Sequence, residues 1–137
     1  MSSFPEKKYD VVAIGAIVID VSTTAEDHHL EKHALAKGLS TPVAPETLAA
    51  LMSGREDLVR TPGGPATNVA AGISLRGGAS ALIGKTVGDE HGIFFAERVQ
   101  AHGIDYMPLF SVHENAATTC VLVMTTPDKE RTFAFAG

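Results

Sequence analysis

The sequence predicts an α/β domain built on a parallel sheet, with a hairpin-like antiparallel segment appended to it. Three observations carry this. Tyr9-Asp10-Val11-Val12-Ala13-Ile14-Gly15 is a short, nearly continuous apolar run rich in β-branched residues, the pattern of a strand buried on both faces. Between Asp57 and Gly103 strand-like and helix-like stretches alternate, which favours parallel strands covered by helices. The last third changes character and reads as extended almost throughout.

The elements follow in chain order. After the first strand, Ala16 to Val21 is a second extended piece with Asp20 at its polar end. Thr24 with Asp27 resembles a capping box that opens a helix ending near Gly38. Pro45-Glu46-Thr47 opens a short helix with Leu48, Leu51 and Met52 on one face. Asp57 to Thr61 is a short strand, and Pro62-Gly63-Gly64-Pro65 is a turn. Pro65 suits the first helical position, where its missing N–H costs nothing. The helix it starts carries Ala66, Val69, Ala70 and Ile73 at helical spacing, and Gly77-Gly78 stops it. Ala79 to Gly84 is a buried strand. A helix striped by Gly92, Phe95, Ala96 and Val99 then runs to about His102-Gly103. Ile104–Val112, Thr118–Thr126 and Arg131–Ala136 are extended, and Pro127 and Asp128 favour a reversal between the last two.

Composition excludes several classes. The 137 residues carry a net charge of −5, with no basic block, so the electrostatic footprint of a nucleic-acid binder is missing. There is no Trp, and one Cys cannot form an internal disulfide, which fits a reducing compartment. The polar start and the interrupted Val11–Val21 run predict neither a cleaved leader nor a membrane span. A cytoplasmic protein with no membrane partner is the expectation.

Four features could carry chemistry. Gly78-Ala-Ser-Ala-Leu-Ile-Gly84-Lys85-Thr86 imitates a phosphate loop, but it holds one residue too many before Gly84 and places strand-forming residues where a backbone nest is needed. Lys85 reads instead as a strand-end surface lysine. His29 and His33 share a helix face beside His28, yet the glutamate of a zinc-protease helix is out of place. A solvated face is the default there, and no metal site is assigned. Cys120 lies in an apolar run and reads as a small hydrophobe that can line a pocket. Gly63-Gly64 before a helix lets a ligand approach the backbone. Asn68 leans back over that turn with both a donor and an acceptor. Taken alone, those residues fit a sugar hydroxyl and a plain tight turn equally well.

Gly63-Gly64-Pro65-Ala66-Thr67-Asn68-Val69-Ala70, then Leu75-Arg76-Gly77-Gly78, then Ile83-Gly84-Lys85-Thr86-Val87-Gly88-Asp89-Glu90-His91-Gly92 resembles the N-terminal signature of the PfkB (ribokinase-like) carbohydrate kinases. Val12-Ala13-Ile14-Gly15 with Asp20 resembles that family's first strand and its substrate-binding aspartate. Leu30 to Met52, Thr118-Thr-Cys-Val-Leu-Val and Thr126-Pro-Asp-Lys-Glu-Arg-Thr resemble its adenosine-kinase-like branch. The resemblance runs from about Tyr9 to Gly137.

It implies a ribokinase-like α/β fold: a Rossmann-like parallel sheet with helices on both faces, plus a small β-sheet lid. Residues 1–137 would be the N-terminal part, with a core near 9–15 and 45–110 and a lid near 16–24, 36–44 and 112–137. The implied activity is transfer of the γ-phosphate of ATP, with Mg²⁺, to a primary hydroxyl of a sugar or of a nucleoside such as adenosine. Asp20, Gly63, Gly64 and Asn68 would bind the substrate. Cys120, Phe133 and Phe135 would line the lid or pocket, and the lid strands could form a homodimer. The family often has an asparagine near the position of Ala16, which offers no hydrogen-bonding side chain. The family's catalytic Asp sits in a Gly-Ala-Gly-Asp motif without counterpart here. The resemblance therefore places the base beyond Gly137, with ATP and Mg²⁺ belonging to a longer parent and neither bound by this chain alone. A non-catalytic half-kinase, acting as a binding or dimerisation module, is the alternative. A dinucleotide-binding domain is disfavoured because no Gly-x-Gly-x-x-Gly follows the first strand. Arg131–Ala136 and one side of the core sheet are expected to lie uncovered.

Overall fold

The computed structural model describes residues 6–111, 113 and 116–137. Met1–Pro5, in the polar start, lie outside the described residues, as does Val112, the expected end of the Ile104–Val112 strand and the first residue of the 112–137 lid segment. Two sheets form. In the first, β1 (Val11–Ile14), β5 (Ser80–Thr86) and β6 (Asp105–Phe110) are parallel in the order β1-β5-β6. The second has five strands in the order β3-β8-β7-β2-β4, comprising β2 (Val18–Thr24), β3 (Ser40–Pro42), β4 (Val59–Gly63), β7 (Thr119–Thr125) and β8 (Arg131–Ala136). The β7–β8 hairpin is antiparallel, but β2 and β7 run parallel, so this sheet is mixed.

Helices α3 (Pro65–Ser74) and α4 (Glu90–Ala101) cover one face of the parallel sheet. On that face the Ser80 hydroxyl donates to the Ala70 carbonyl of α3 at 3.0 Å. Phe95 of α4 packs edge-on against Tyr106 of β6, with ring centroids 5.4 Å apart. Fully buried Leu82 and Phe95 fill the space between. Each such aromatic or leucine contributes about 1.5–3 kcal/mol by burial. On the opposite face Val12, Ile14 and Leu109 are 49, 73 and 58% exposed. That side of the sheet is open among the described residues, as expected, so β1 is buried on one face only and the reading of its apolar run as a strand buried on both faces is corrected.

The second sheet buries one face and leaves the other half open. Ile19 and Val21 of β2, Leu122 and Met124 of β7, and Thr132 and Ala134 of β8 point inward. They join a core with Leu30 of α1 (Asp27–Lys32) and with Leu48 and Leu51 of α2 (Pro45–Met52). α4 touches β2 and β4 as well as β6, so it braces both sheets.

Several expectations need correction. The first helix stops at Lys32 rather than near Gly38, and its N-cap is Glu26, whose backbone N–H donates to His29 Nδ1 at 3.3 Å. Thr24 belongs to β2 instead: its N–H and hydroxyl, with the Thr23 hydroxyl, all donate to Asp57 at 2.7–2.8 Å. That one carboxylate satisfies the strand end, leaving Thr24 unable to cap a helix. Pro62 and Gly63 extend β4 rather than forming a turn. A proline is tolerated there because β4 is an edge strand and needs no outward N–H. β4 falls within the 45–110 stretch grouped with the core, yet it pairs with β2 of the mixed sheet. On α3, Val69 is 53% exposed, and Thr67 and Ala70 form the buried stripe. Finally, Arg131–Ala136 is not an open edge, because β3 pairs with it in parallel.

Candidate functional site

Alternation along β2 places Asp20 on the half-open face of the mixed sheet, opposite Ile19 and Val21. Pairing then sets its neighbours. Asp20 lies across from Thr61 of β4 and Val121 of β7, Val121 across from Phe135 of β8, and Phe135 across from Pro42 of β3. The next row holds Ser22, Val123 and Phe133. Adjacent strands stand about 4.8 Å apart, so Asp20 and the Phe135 backbone are about 10 Å apart, the span of a sugar or nucleoside. Phe133 and Phe135 are half-buried on this face, giving an apolar floor beside a carboxylate.

The Asp20 carboxylate is half-buried, and burial pushes its pKa up. No ion pair or hydrogen bond among the described residues offsets that cost, as it would for a structural aspartate. It rests instead on Gly63, where an added Cβ would sit 2.6 Å from Asp20 Cγ and 2.9 Å from Oδ1. Gly64 adopts φ +95°, and a Cβ there would come within 2.7 Å of the Ala16 carbonyl oxygen. Both glycines are therefore demanded by close packing at the head of α3, and Gly64 also by its left-handed backbone.

Asn68 lies on the first turn of α3, its N–H donating to the Gly64 carbonyl at 3.1 Å, and its side chain is exposed. Thr67, one residue earlier, carries no signal in the sequence that marks it as functional. Its hydroxyl is buried without a partner among the described residues, and it lies 3.8 Å from where a Gly64 Cβ would be. Cys120 is not brought together with the other candidates. It projects from the opposite face of the sheet, and burial raises the pKa of its thiol, as befits a small hydrophobe. It lines a cleft of about 820 Å³ with Ala16, Leu48, Lys85, His91 and Ala136. That cleft is mostly apolar and contains none of Asp20, Gly63, Asn68, Phe133 or Phe135.

The phosphate-loop imitation is the strand β5 with exposed Lys85 near its end. His28 and His29 stack with ring centroids 4.0 Å apart, and among the described residues no three His, Cys, Asp or Glu side chains converge as a metal site requires. At the head of α4, Asp89 and Glu90 fall within the stretch that resembles the family signature, but the sequence gives them no partners. Asp89 Oδ1 accepts from the Gly92 N–H and the Thr118 hydroxyl, each at 2.7 Å, and Oδ2 accepts from the Thr118 N–H at 2.8 Å. Burial opposes ionisation of Asp89, but the Thr118 and Gly92 donors outweigh it and hold its carboxyl below the usual range. Beside it, Glu90 pairs with Arg60 of β4 at 2.6 Å. The capping position of Asp89 before a helical stripe is local in the sequence, whereas its bonds to Thr118 and the Glu90–Arg60 pair join residues about 30 apart.

A parallel α/β core with a glycine-headed helix, joined to a mixed sheet that carries a carboxylate and two aromatic rings on one face, is the architecture of a ribokinase-like α/β protein. The chain belongs to the pfkB family of carbohydrate kinases, whose pattern matches residues 8–137. The probable fructokinase-7 of Arabidopsis thaliana is 40% identical over 76 residues, which are 56% of this chain and 22% of that protein. The fructokinase of Salmonella typhimurium is 33% identical over 78 residues, 57% of this chain and 25% of that protein. The adenosine kinase structure from Sinorhizobium meliloti superposes with a TM-score of 0.78 at 30% identity, covering 94% of this chain and 39% of that one. The Trypanosoma brucei brucei adenosine kinase, at 20% identity and a TM-score of 0.80 over 96% of this chain and 41% of that one, shares the fold. The chain thus spans about two fifths of the length of these solved relatives.

Proposed function

We propose that this chain is the acceptor-binding part of an ATP-dependent kinase that phosphorylates a primary hydroxyl of a sugar or nucleoside. The observation that carries the reading is Asp20, a half-buried carboxylate with no protein partner among the described residues, held against Gly63 on an open face. An ionised acceptor makes the stronger kind of hydrogen bond to a hydroxyl donor. Asp20 would grip sugar hydroxyls, Gly63 and Gly64 would let the ring lie against backbone, and Asn68 would hold a further hydroxyl. Phe133 and Phe135 would cover the apolar side. The similarity to fructokinases and adenosine kinases supports both acceptor classes.

Kinases of this family use ATP, and the proposal takes Mg²⁺ with it. Among the described residues no three metal-donor side chains converge, and the sequence has no Gly-Ala-Gly-Asp, so no residue of this chain is assigned to that ion. Stabilising the transferring phosphoryl group is therefore assigned to the remaining length of a longer protein.

The test is calorimetric titration of the chain with fructose and with adenosine, repeated on Asp20→Ala. A charge-assisted hydrogen bond contributes about 1.5–3 kcal/mol, so Asp20→Ala should weaken the bound acceptor at least about tenfold. An acceptor bound equally well by both would remove Asp20 from the site.

A further inference from the structure

We propose that Asp89 and Glu90, at the head of α4, are positioning residues that fix the two strands flanking Asp20. The inference rests on the acceptor-site reading of the Asp20 face. β2 lies between β7 and β4, and each of those neighbours is tied to one of two consecutive carboxylates. Asp89 takes both the N–H and the hydroxyl of Thr118, the residue that enters β7. Glu90 takes Arg60, the second residue of β4.

The ties sit close to Asp20 along the ladder. β7 begins pairing with β2 at Val18↔Thr119, followed by Ile19↔Cys120 and then Asp20↔Val121. Releasing Thr118 frees the chain immediately before the first of these rungs, and strand ends open locally before the fold does. On the other side Arg60 pairs with Val21, adjacent to the Asp20↔Thr61 rung. Gly63, on which the Asp20 carboxylate rests, lies three residues further along β4. α4 is itself anchored by Phe95 on Tyr106 of the parallel sheet, so its head is a fixed point from which both flanks of the site hang. The Arg60–Glu90 pair is exposed, 41 and 78% at its side chains, and pairs of that kind add little stability. Its effect is on placement. Asp89, with two hydrogen bonds to Thr118, is the stronger tie.

The hydrogen-bond chemistry separates capping from strand anchoring. In Asp89→Asn the amide oxygen still accepts from Gly92, so α4 stays capped, but an NH₂ group cannot accept the Thr118 N–H. Thr118→Val removes only the hydroxyl and changes no charge. Val99→Ala, in the core at the far end of α4, serves as a destabilised control.

The experiment is an NMR titration of the Asp20 carboxyl carbon in the folded chain, with amide exchange at Cys120 and Val121. Asp89→Asn and Thr118→Val should bring the Asp20 titration down toward the ordinary aspartate value, the latter by the smaller amount, as water reaches the loosened rungs. Exchange at Cys120 and Val121 should quicken, and acceptor binding should weaken by about tenfold or more. Val99→Ala should leave the Asp20 titration in place. Unchanged Asp20 titration and exchange in Thr118→Val, or an equal shift in Val99→Ala, would overturn the positioning role. If the shifts occur but the unmutated chain binds neither fructose nor adenosine, the anchoring stands and the acceptor reading falls.

Discussion

Gly63→Ala separates site geometry from fold stability more cleanly than any other substitution in this chain. The new Cβ would meet Asp20 Cγ at 2.6 Å and Oδ1 at 2.9 Å, so the carboxylate must rotate away. Gly63 has no left-handed backbone, and alanine fits its strand conformation. Removing the glycine's unfolded-state freedom stabilises by about 0.4–1 kcal/mol. Overpacking a well-filled position costs about 1–3 kcal/mol, at the lower end because the displaced group is a side-chain tip. The net loss of stability is then about 0–2 kcal/mol. The binding loss is larger: turning Asp20 away forfeits a charged hydrogen bond of about 1.5–3 kcal/mol, a weakening of about 10- to 100-fold. Urea denaturation gives the first quantity and calorimetric titration with the bound acceptor the second. Acceptor binding that survives in a folded Gly63→Ala chain would refute the placement of the ligand against Asp20. Loss of the fold altogether would refute the packing argument.

Other consequences follow from the same geometry. Gly64→Ala should be far costlier than its neighbour, because a left-handed backbone adds about 1–2 kcal/mol to a clash with the rigid Ala16 carbonyl. Gly54→Ala, at φ +72° with nothing within 4 Å, should show the backbone cost alone, and equal urea midpoints for the two would sink the contact. Asp57 is held well below the usual aspartate range, first by the Thr24 N–H and then by the Thr23 and Thr24 hydroxyls. A depressed folded pKa gives stability that is full above the unfolded value of about 3.9 and is lost as pH falls toward the folded one. Asp57→Asn should therefore flatten the acid limb of a urea-midpoint profile, with little difference between the variants at the lowest pH. Asp20 has the opposite shift, so acceptor binding that needs its ionised form should decline from a pH above the usual aspartate range. The open face of the parallel sheet, with Val12, Ile14 and Leu109 exposed and β1 at the sheet edge, should drive self-association of the 137-residue chain. Light scattering should show mass rising with concentration, and Ile14→Lys should reduce it. A monodisperse monomer at every concentration would remove that face as an interface.

How much of this was legible in the sequence depended on whether a residue's partner was local. The parallel strands and the helices that cover them were, because apolar runs and helical stripes are local patterns, but which faces are covered was not: Val12 and Ile14 of β1 and Val69 of α3 are exposed. The Thr126–Glu130 reversal was as well: the Thr126 N–H bonds the Glu130 carbonyl at 3.0 Å, and the Thr126 hydroxyl bonds Asp128 at 2.6 Å. Thr24 misled because its partner, Asp57, lies 33 residues away, and a capping pattern cannot reveal a competing acceptor at that distance. Pro62 misled because a proline in a strand depends on which strand is at the edge, a property of the whole sheet. Cys120 was grouped with Phe133 and Phe135 as pocket lining. Alternation puts Phe133 and Phe135 on one face, but only the β7–β8 register, with Val121 opposite Phe135, assigns Cys120 to the other.

The same distinction explains why the aspartate was visible and its supports were not. The residues alone mark Asp20 only as the polar end of an extended piece; its role as a substrate-binding aspartate is legible through the resemblance to the family's first strand. An aspartate before a helix, as at Asp89, is explained by capping, and its grip on Thr118 is an additional use of the same oxygens. Glu90 and Arg60 are ordinary surface charges in sequence. Yet a half-buried carboxylate with no protein partner keeps its place only if its neighbours prevent the strands from parting and admitting water. Among the described residues Asp20 has no donor to hold it, so its place depends on the strands on either side of it. The ties from α4 hold those strands without giving Asp20 a hydrogen bond, and its oxygens stay free for a ligand's hydroxyls.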